Sequence, residues 1–121
     1  MLKLMNGLPE NVIGVTGEGE ITGSDYENVL IPAVEAKLKD HKKIRFIYHM
    51  GSEFRGFDAK AMFDDSILGL KHISAWERIA FVSDHEHYNS LVKFFGHLIP
   101  GEIKVYTNDE LNDAVRWIGE N

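Results

Sequence analysis

The sequence predicts a single-domain α/β protein with a mainly parallel sheet. Segments that alternate as strands do are interleaved with segments of helical period, in the order ββαβαβαβα. One strand segment, "RIAFVSD", is apolar on both faces, which is typical of a strand in the middle of a parallel sheet. The chain has 121 residues, 44% of them hydrophobic, and this is enough for one core. Because no repeat or linker divides the chain, we treat residues 1–121 as one domain.

The first two strands are predicted to form a hairpin. Residues 2–5 alternate as in a strand, and the turn "NGLPEN" leads into an apolar strand at residues 12–15. A helix with regularly spaced apolar residues follows, and Thr22 with Asp25 forms a capping box at its start. Pro32 lies inside this helix and is predicted to bend it.

The remaining elements alternate between strand and helix, as right-handed crossovers in a parallel sheet require. The strand "KIRFIYHM" places Phe46 and Tyr48 on one face and Ile47 on the other. A helix from about Asp58 to Lys71 comes next, then "RIAFVSD", a helix that ends at Gly96, and the last strand "EIKVY". The residues "TNDE" form a second capping box before the final helix.

The stretch "FRGFDAKAMFDDSILGLKH" brings two acids and a hydroxyl together. On a helix, the consecutive residues Asp64, Asp65 and Ser66 point in three directions, so they do not form one site. Both aspartates are predicted to face solvent and Ser66 to be half-buried. The predicted core face consists of apolar residues about one turn apart: Ala59, Phe63, Ile67 and Leu70.

Composition excludes several classes of function. The net charge of -6 argues against a nucleic-acid partner, because such proteins usually present a basic face. The absence of cysteine excludes disulfides, thiolate metal sites and a cysteine nucleophile. The chain contains no signal-peptide pattern and no apolar run of transmembrane length, so we expect a cytoplasmic protein.

Three long stretches of this sequence resemble one family. They are "ITGSDYENVLIPAVEAKL", "FRGFDAKAMFDDSILGLKHISAWERIAFVSD" and "IKVYTNDELNDAVRWI". These stretches are similar to the SpoIIAA-like branch of the STAS-type fold, in particular to small bacterial proteins without an assigned function. The resemblance implies the fold and leaves the activity open.

Anti-sigma factor antagonists of the same fold carry a phosphorylated serine at the start of the helix that follows the corresponding strand. The letters "DDSILGL" are similar to their motif, but Ser66 is predicted well inside the helix. Ser52 is predicted in the loop before that helix and is the one serine worth testing. Because Glu53 beside it would repel a phosphate, we do not expect a phosphoswitch.

The segment "SDHEHY" ends a central strand, where open parallel sheets usually bind ligands. His85 and His87, with Asp84 and His49, are candidate metal ligands, but their spacing is not a specific signature, and we expect neither a metal nor a cofactor. The alternative is a helix cap in which Ser83 or Asp84 accepts amide hydrogen bonds.

A hydrolase is a further alternative, with His49, Ser52 and Asp84 meeting at the strand ends. The sequence lacks the Gly-x-Ser-x-Gly turn that exposes a nucleophilic serine, and its glycines do not form a phosphate-binding loop. We therefore expect a protein without catalytic activity.

Aromatic residues are the remaining signal. Phe54 and Phe57 flank Arg55 and Gly56 in a predicted loop, and apolar residues crowd the segment Phe94–Ile99. They close the core over the strand ends, line a cleft for an apolar ligand or lipid, or form a surface for self-association. The resemblance adds weight to lipid binding, because lipid-binding domains of the CRAL-TRIO type have a related architecture.

These observations predict a non-catalytic binding module for a partner protein or a small apolar or anionic ligand. The predicted ligand-facing edge consists of residues after the third and fourth strands: Phe54, Arg55, Phe57, Ser83, Asp84 and His85. The alternative is association with a lipid or membrane surface through Phe94–Ile99. Homodimerisation is expected of a small domain with open sheet edges.

Overall fold

Five strands form one sheet in the computed structural model, which describes residues 1–121. They lie side by side in chain order, the first pair antiparallel and every later pair parallel. The predicted fold class, the order of elements along the chain and the N-terminal hairpin are confirmed. The strands are β1 (Leu2–Leu4), β2 (Val12–Ile21), β3 (Ile44–Phe57), β4 (Trp76–Val82) and β5 (Glu102–Tyr106).

The helices connect these strands as predicted, and a last helix follows β5. None of them combines the length and the apolar character that crossing a membrane would require. The helices are α1 (Gly23–Asp25), α2 (Ile31–Asp40), α3 (Ala59–Lys71), α4 (Glu86–Phe95) and α5 (Leu111–Gly119), with a π-helical turn (Tyr26–Leu30) between α1 and α2 and a 3₁₀ turn (Asn108–Glu110) before α5.

Side-chain caps fix where the helices begin. The Asp25 carboxylate accepts a hydrogen bond from the Thr22 amide at 2.8 Å, and the Thr22 hydroxyl accepts one from the Asp25 amide. Asp58 accepts from the Ala61 amide at 2.7 Å at the start of α3. Both predicted capping boxes are present: Thr22 with Asp25 before α1, and Thr107 with Glu110 before α5. Each cap satisfies amide groups that the first helical turn leaves without partners.

Pro32 lies in the first turn of α2, directly after the π-helical turn. A proline inside a helix lacks an amide hydrogen, and its ring clashes with the carbonyl four residues earlier. The chain accommodates it with a wider turn, in which the Ile31 amide bonds the Tyr26 carbonyl five residues before. The sequence predicts a bend at Pro32, and the structure has a π-helical turn directly before it.

The sheet has a core on each face. The larger core packs the face that carries Phe46 and Tyr48 against the π-helical turn, α2, α3 and α4. The smaller core packs Ile47 and its neighbours on the opposite face against Trp117 and Ile118 of α5. The alternation predicted for β3 is thus confirmed, and every connecting helix lies on the same face of the sheet.

Two arginines on adjacent strands anchor the end of α5. Arg45 and Arg78 are paired in register on β3 and β4. Arg45 donates to the Ile118 carbonyl at 2.9 Å, and Arg78 donates to the Trp117 carbonyl at 2.9 Å. The last carbonyls of a helix lack intrahelical partners and carry partial negative charge, so the guanidinium groups hold α5 to the sheet by hydrogen bonds and by charge.

The predicted core face of α3 is wrong. Ala59, Phe63, Ile67 and Leu70 are all exposed, and the buried positions are Ala61, Asp64 and Leu68. Ser66 is exposed as well, and its hydroxyl donates to the Met62 carbonyl at 3.0 Å. Because α3 carries apolar residues on several sides, its apolar period does not determine which side is buried, and contacts with other elements, such as the hydrogen bond from Tyr26 to Asp65, favour the observed side.

The prediction of a loop after residue 50 is also wrong, because β3 continues to Phe57. The register between β2 and β3 shifts between the pairs Gly17–Met50 and Gly19–Phe54, which leaves residues 51–53 as a bulge. Glu18 supports the bulge by accepting a hydrogen bond from the Glu53 amide at 2.8 Å. Ser52 therefore lies exposed in a strand bulge rather than before a helix, and no helix N-terminus favours a phosphate there.

Candidate functional site

An apolar groove of about 410 Å³ lies over the face of the sheet that bears the connecting helices. We call it the α3–α4 groove, because α3 and α4 flank it and β3, β4 and β5 contribute the residues beneath. Of its 22 lining residues 19 are hydrophobic, so it resembles small-molecule sites in its chemistry. Phe46, Phe81 and Ile103 come from the strands, and Leu68 and Leu91 come from the two helices.

The groove exists because α4 does not pack down fully. None of the ten residues of α4 is buried, although Leu91, Val92 and Phe95 line the groove. Beyond the helix, Leu98 and Ile99 line the groove too. An amphipathic helix normally buries its apolar stripe against the core. Here part of that stripe faces open space.

A chain of polar groups is built into one side of the groove. The Tyr26 hydroxyl donates to Asp65 Oδ1 at 2.8 Å, and the hydroxyl oxygens of Tyr26 and Tyr48 are 2.9 Å apart. Both tyrosines are buried, and all three residues line the groove. The buried tyrosine hydroxyls thus have partners, as buried polar groups need.

The surroundings shift the pKa values of these three hydrogen-bonded residues. Burial raises the pKa of Asp65, and the hydrogen bond from Tyr26 opposes that shift. Asp65 is exposed on the open side of the groove, as the sequence predicts, and its Oδ1 accepts the hydrogen bond from the buried Tyr26 hydroxyl. Burial and the nearby Asp65 also raise the pKa of Tyr26 and of Tyr48, so neither hydroxyl ionises near neutral pH.

We expect the substitution Asp65→Asn to stabilise the protein near neutral pH. A raised carboxyl pKa means that the fold favours the uncharged form, so the contribution of Asp65 to stability is fully present below its ordinary pKa of 3.8 and is lost as the pH rises through the raised value. Asparagine keeps an oxygen that accepts from Tyr26 and has no charge to bury. Urea unfolding over a series of pH values measures the difference.

The gain in unfolding free energy from Asp65→Asn should grow as the pH rises from acid to neutral and then level off. Asp113→Asn is the matched control, because Asp113 is an exposed residue of α5 and its removal changes the net charge by the same amount. A gain that is equal at all pH values, or equal in the control, would contradict the raised pKa.

An aromatic cluster adjoins the groove and contains three of the predicted ligand-facing residues. The ring centroid of Phe54 lies 5.2 Å from that of Phe57 and 5.0 Å from that of His85, and the Tyr88 ring meets all three in edge-to-face or tilted contacts. Phe57 and Tyr88 line the groove, whereas Phe54 is buried behind them and Arg55 is exposed. Of the six predicted residues, only Phe57 reaches the groove itself.

Ser83 and Asp84 mainly stabilise the chain after β4. Ser83 is fully buried, and its hydroxyl oxygen accepts from the His85 amide at 2.9 Å. Asp84 accepts from the Asn108 amide at 2.9 Å and so ties this loop to the one after β5. Ser83 and Asp84 thus accept amide hydrogen bonds, but they do not cap α4, which begins at Glu86 and whose N-cap residue, His85, makes no side-chain cap hydrogen bond.

The other candidate constellations do not assemble. His49 Nδ1 is 3.3 Å from the Thr16 hydroxyl, and no hydrogen bond joins His49 to Ser52 or Asp84. Burial lowers the pKa of His49, while Glu18 and Asp84 act in the opposite direction. Nowhere in the chain do three or more His, Cys, Asp or Glu side chains come together in a way that could hold a metal ion.

Sequence reasoning missed Tyr26, Tyr48 and Asp65 as members of a site. One signal was present: Tyr26 and Tyr48 both fall on core-facing positions, and a buried tyrosine hydroxyl needs a partner. The partner, Asp65, is 39 residues from Tyr26 in the chain, and no local pattern connects the two.

Comparisons with known proteins agree on the fold. The SpoIIAA-like family profile matches residues 12–119. A crystal structure of an uncharacterised protein of the DUF3478 family, with a SpoIIAA-like fold, from Shewanella loihica PV-4 is similar at a TM-score of 0.76 and 24% identity, covering 98% of this chain and 92% of that one. No curated protein matches the chain. Because the profile spans nearly all of the sequence, the chain belongs to the SpoIIAA-like family.

Proposed function

We propose that the protein is a non-catalytic binding module that holds a small apolar ligand in the α3–α4 groove. The observation that carries this proposal is the groove itself, with 19 hydrophobic residues among the 22 that line about 410 Å³. Small-molecule sites usually have volumes of about 300–1,000 Å³ and are lined in the same way, with few polar groups. The SpoIIAA-like fold is consistent with such a role.

Energetics favour a ligand over empty space. Folded proteins pack their interiors densely. Each Å² of apolar surface that is removed from water contributes about 25 cal/mol of stabilisation, which the exposed apolar surface of the groove does not supply. An apolar molecule in the groove would bury the inner sides of Leu91, Val92 and Phe95 on α4, which the protein alone leaves partly open. The ligand would therefore stabilise the position of α4 as well as being bound by it.

Binding of Nile red, an uncharged apolar dye, tests the proposal in the isolated protein. We expect saturable binding with increased dye fluorescence, and a loss of affinity of about tenfold or more in the variant Phe95→Asp, because Phe95 supplies apolar surface to the groove. Native mass spectrometry of protein purified gently from its host would then identify the natural ligand.

The variant Phe94→Asp is the matched control. Phe94 is the preceding residue on α4, is 63% exposed and does not line the groove. Its substitution should change the affinity for Nile red by less than about twofold. Equal losses in the two variants, or dye binding that never saturates, would mean that the dye adsorbs to exposed surface and would refute the groove as its site.

Association with a lipid surface is the second candidate. The segment Phe94–Ile99 exposes Phe94, Phe95 and Leu98, each more than half accessible. Phosphatidylcholine vesicles suit the test, because the net charge of -6 opposes binding to anionic lipids. If the segment inserts, both Phe94→Asp and Phe95→Asp should reduce flotation, whereas of these two variants only Phe95→Asp should weaken ligand binding in the groove.

Several predictions remain as proposals. Homodimerisation would be checked by light scattering, and a partner protein by capture in cells followed by mapping to the exposed residues of α3. A cytoplasmic location remains a prediction. A hydrolase at His49, Ser52 and Asp84 would require an ester or phosphoester turnover that the variant Ser52→Ala abolishes, and we propose that no such turnover occurs.

A further inference from the structure

The polar groups of the α3–α4 groove are few and of one sign. Asp65 is the only residue with a formal charge among those that line it, and no lysine, arginine or histidine does so. An anionic ligand would therefore bring a second negative charge beside Asp65 with no cation in the lining to offset it. Two like charges held close together repel each other, and the lining supplies no group that offsets the repulsion.

Most hydrogen-bond donors of the groove are already used. A hydroxyl has one hydrogen, so Tyr26, which donates to Asp65, must accept in its contact with Tyr48. Ser66 donates to the Met62 carbonyl, and the Trp76 indole donates to the Gly69 carbonyl at 3.3 Å. Among the lining side chains only the Tyr88 hydroxyl has no partner. The polar chain thus ends at the Asp65 carboxylate, which has accepting capacity left.

We propose that the groove binds an apolar molecule with a cationic amine head group, and that the head group pairs with Asp65. This rests on the proposed function, that the groove takes an apolar ligand, and adds the chemical class of that ligand. An ammonium group donates the hydrogen bonds that the carboxylate can accept, and its positive charge offsets the one formal charge in the lining. The apolar body of the molecule would lie along Leu91, Val92 and Phe95.

Displacement of Nile red by three molecules with the same alkyl chain tests the head group. They are decylammonium, decanol and decanoate, each used below the concentration at which it forms micelles and at neutral pH. We expect decylammonium to displace the dye at a concentration about tenfold or more below that of decanoate, with decanol between them, because a hydrogen bond to a charged group is worth about that factor.

Two variants separate the local carboxylate from the overall charge. Asp65→Asn removes the carboxylate of the groove. The concentration of decylammonium that displaces the dye should therefore rise to the concentration of decanol that does so. Asp113→Asn removes one negative charge from α5, on the opposite face of the sheet, and should keep the preference. Circular dichroism would establish that both variants are folded.

Each outcome decides between the two proposals. If none of the three molecules displaces the dye and the dye itself does not bind in the groove, the proposed function fails. If all three displace it at equal concentrations, or if decanoate is the best, the groove binds apolar molecules and the cationic head group is refuted. A preference for decylammonium that survives Asp65→Asn, or that Asp113→Asn also removes, would likewise refute the role of Asp65.

Discussion

Replacing Ile47 by alanine is expected to lower the free energy of unfolding by about 2–5 kcal/mol. Ile47 is fully buried on the central strand β3 and packs in the smaller core against α5. The truncation removes apolar contacts and leaves a cavity that the paired strands on either side cannot close. Urea unfolding measures the loss as a lower midpoint with an unchanged slope.

Ile67→Ala is the matched control for Ile47→Ala. The two residues are the same type, but Ile67 is 50% exposed on α3. Its substitution should change the free energy of unfolding by no more than about 0.5 kcal/mol. A loss as large as that of Ile47→Ala would mean that α3 turns Ile67 inward, as its sequence pattern predicts, and would contradict the orientation in the structure.

The order and type of the elements were predictable because each one has a local cause. The period of apolar residues identifies a strand or a helix, and caps such as Thr22 with Asp25 mark a helix start. Parallel strands need long connections, so the alternation of strands and helices leaves only a few possible topologies for the sheet. Phe46 and Tyr48 on one face of β3, with Ile47 on the other, followed from alternation alone.

The rotation of α3 could not be predicted in the same way. Apolar residues occur on both sides of this helix, and the larger stripe, with Phe63, Ile67 and Leu70, is the exposed one. The orientation depends on partners that are distant in the chain, among them the core residues around Ala61 and Leu68 and the Tyr26 hydroxyl that donates to Asp65. Periodicity identifies the stripes of a helix, but it does not identify which stripe the rest of the protein covers.

The candidate site was predicted in part. The aromatic residues around Phe57 and the apolar segment Phe94–Ile99 were singled out from the sequence, and Phe57, Phe95, Leu98 and Ile99 line the groove. The opening itself results from how far α4 stands from the sheet, and a spacing between elements leaves no trace in the local pattern. The extension of β3 through its bulge depends likewise on Glu18, which lies on the neighbouring strand.

Replacing Gly101 by alanine is expected to lower the free energy of unfolding by about 1–3 kcal/mol or more, because the atoms nearest to the added Cβ are backbone atoms that cannot move aside easily. A Cβ on Gly101 would lie 2.9 Å from the Glu77 carbonyl oxygen and closer still to that of Trp76. Both are backbone atoms of β4, so relief requires a shift of one strand against the other. Urea unfolding would report the loss.

Gly69→Ala is the control and should have the opposite effect. Gly69 lies inside α3 with no atom within 4 Å of an added Cβ, so alanine there should raise stability by about 0.5–1 kcal/mol through its higher helix propensity. Gly101 also directs β5 alongside β4, and Ile103 on β5 lines the groove. If the groove depends on that approach, Gly101→Ala should weaken Nile red binding as well as stability, and full affinity in a destabilised variant would show that the groove tolerates movement of β5.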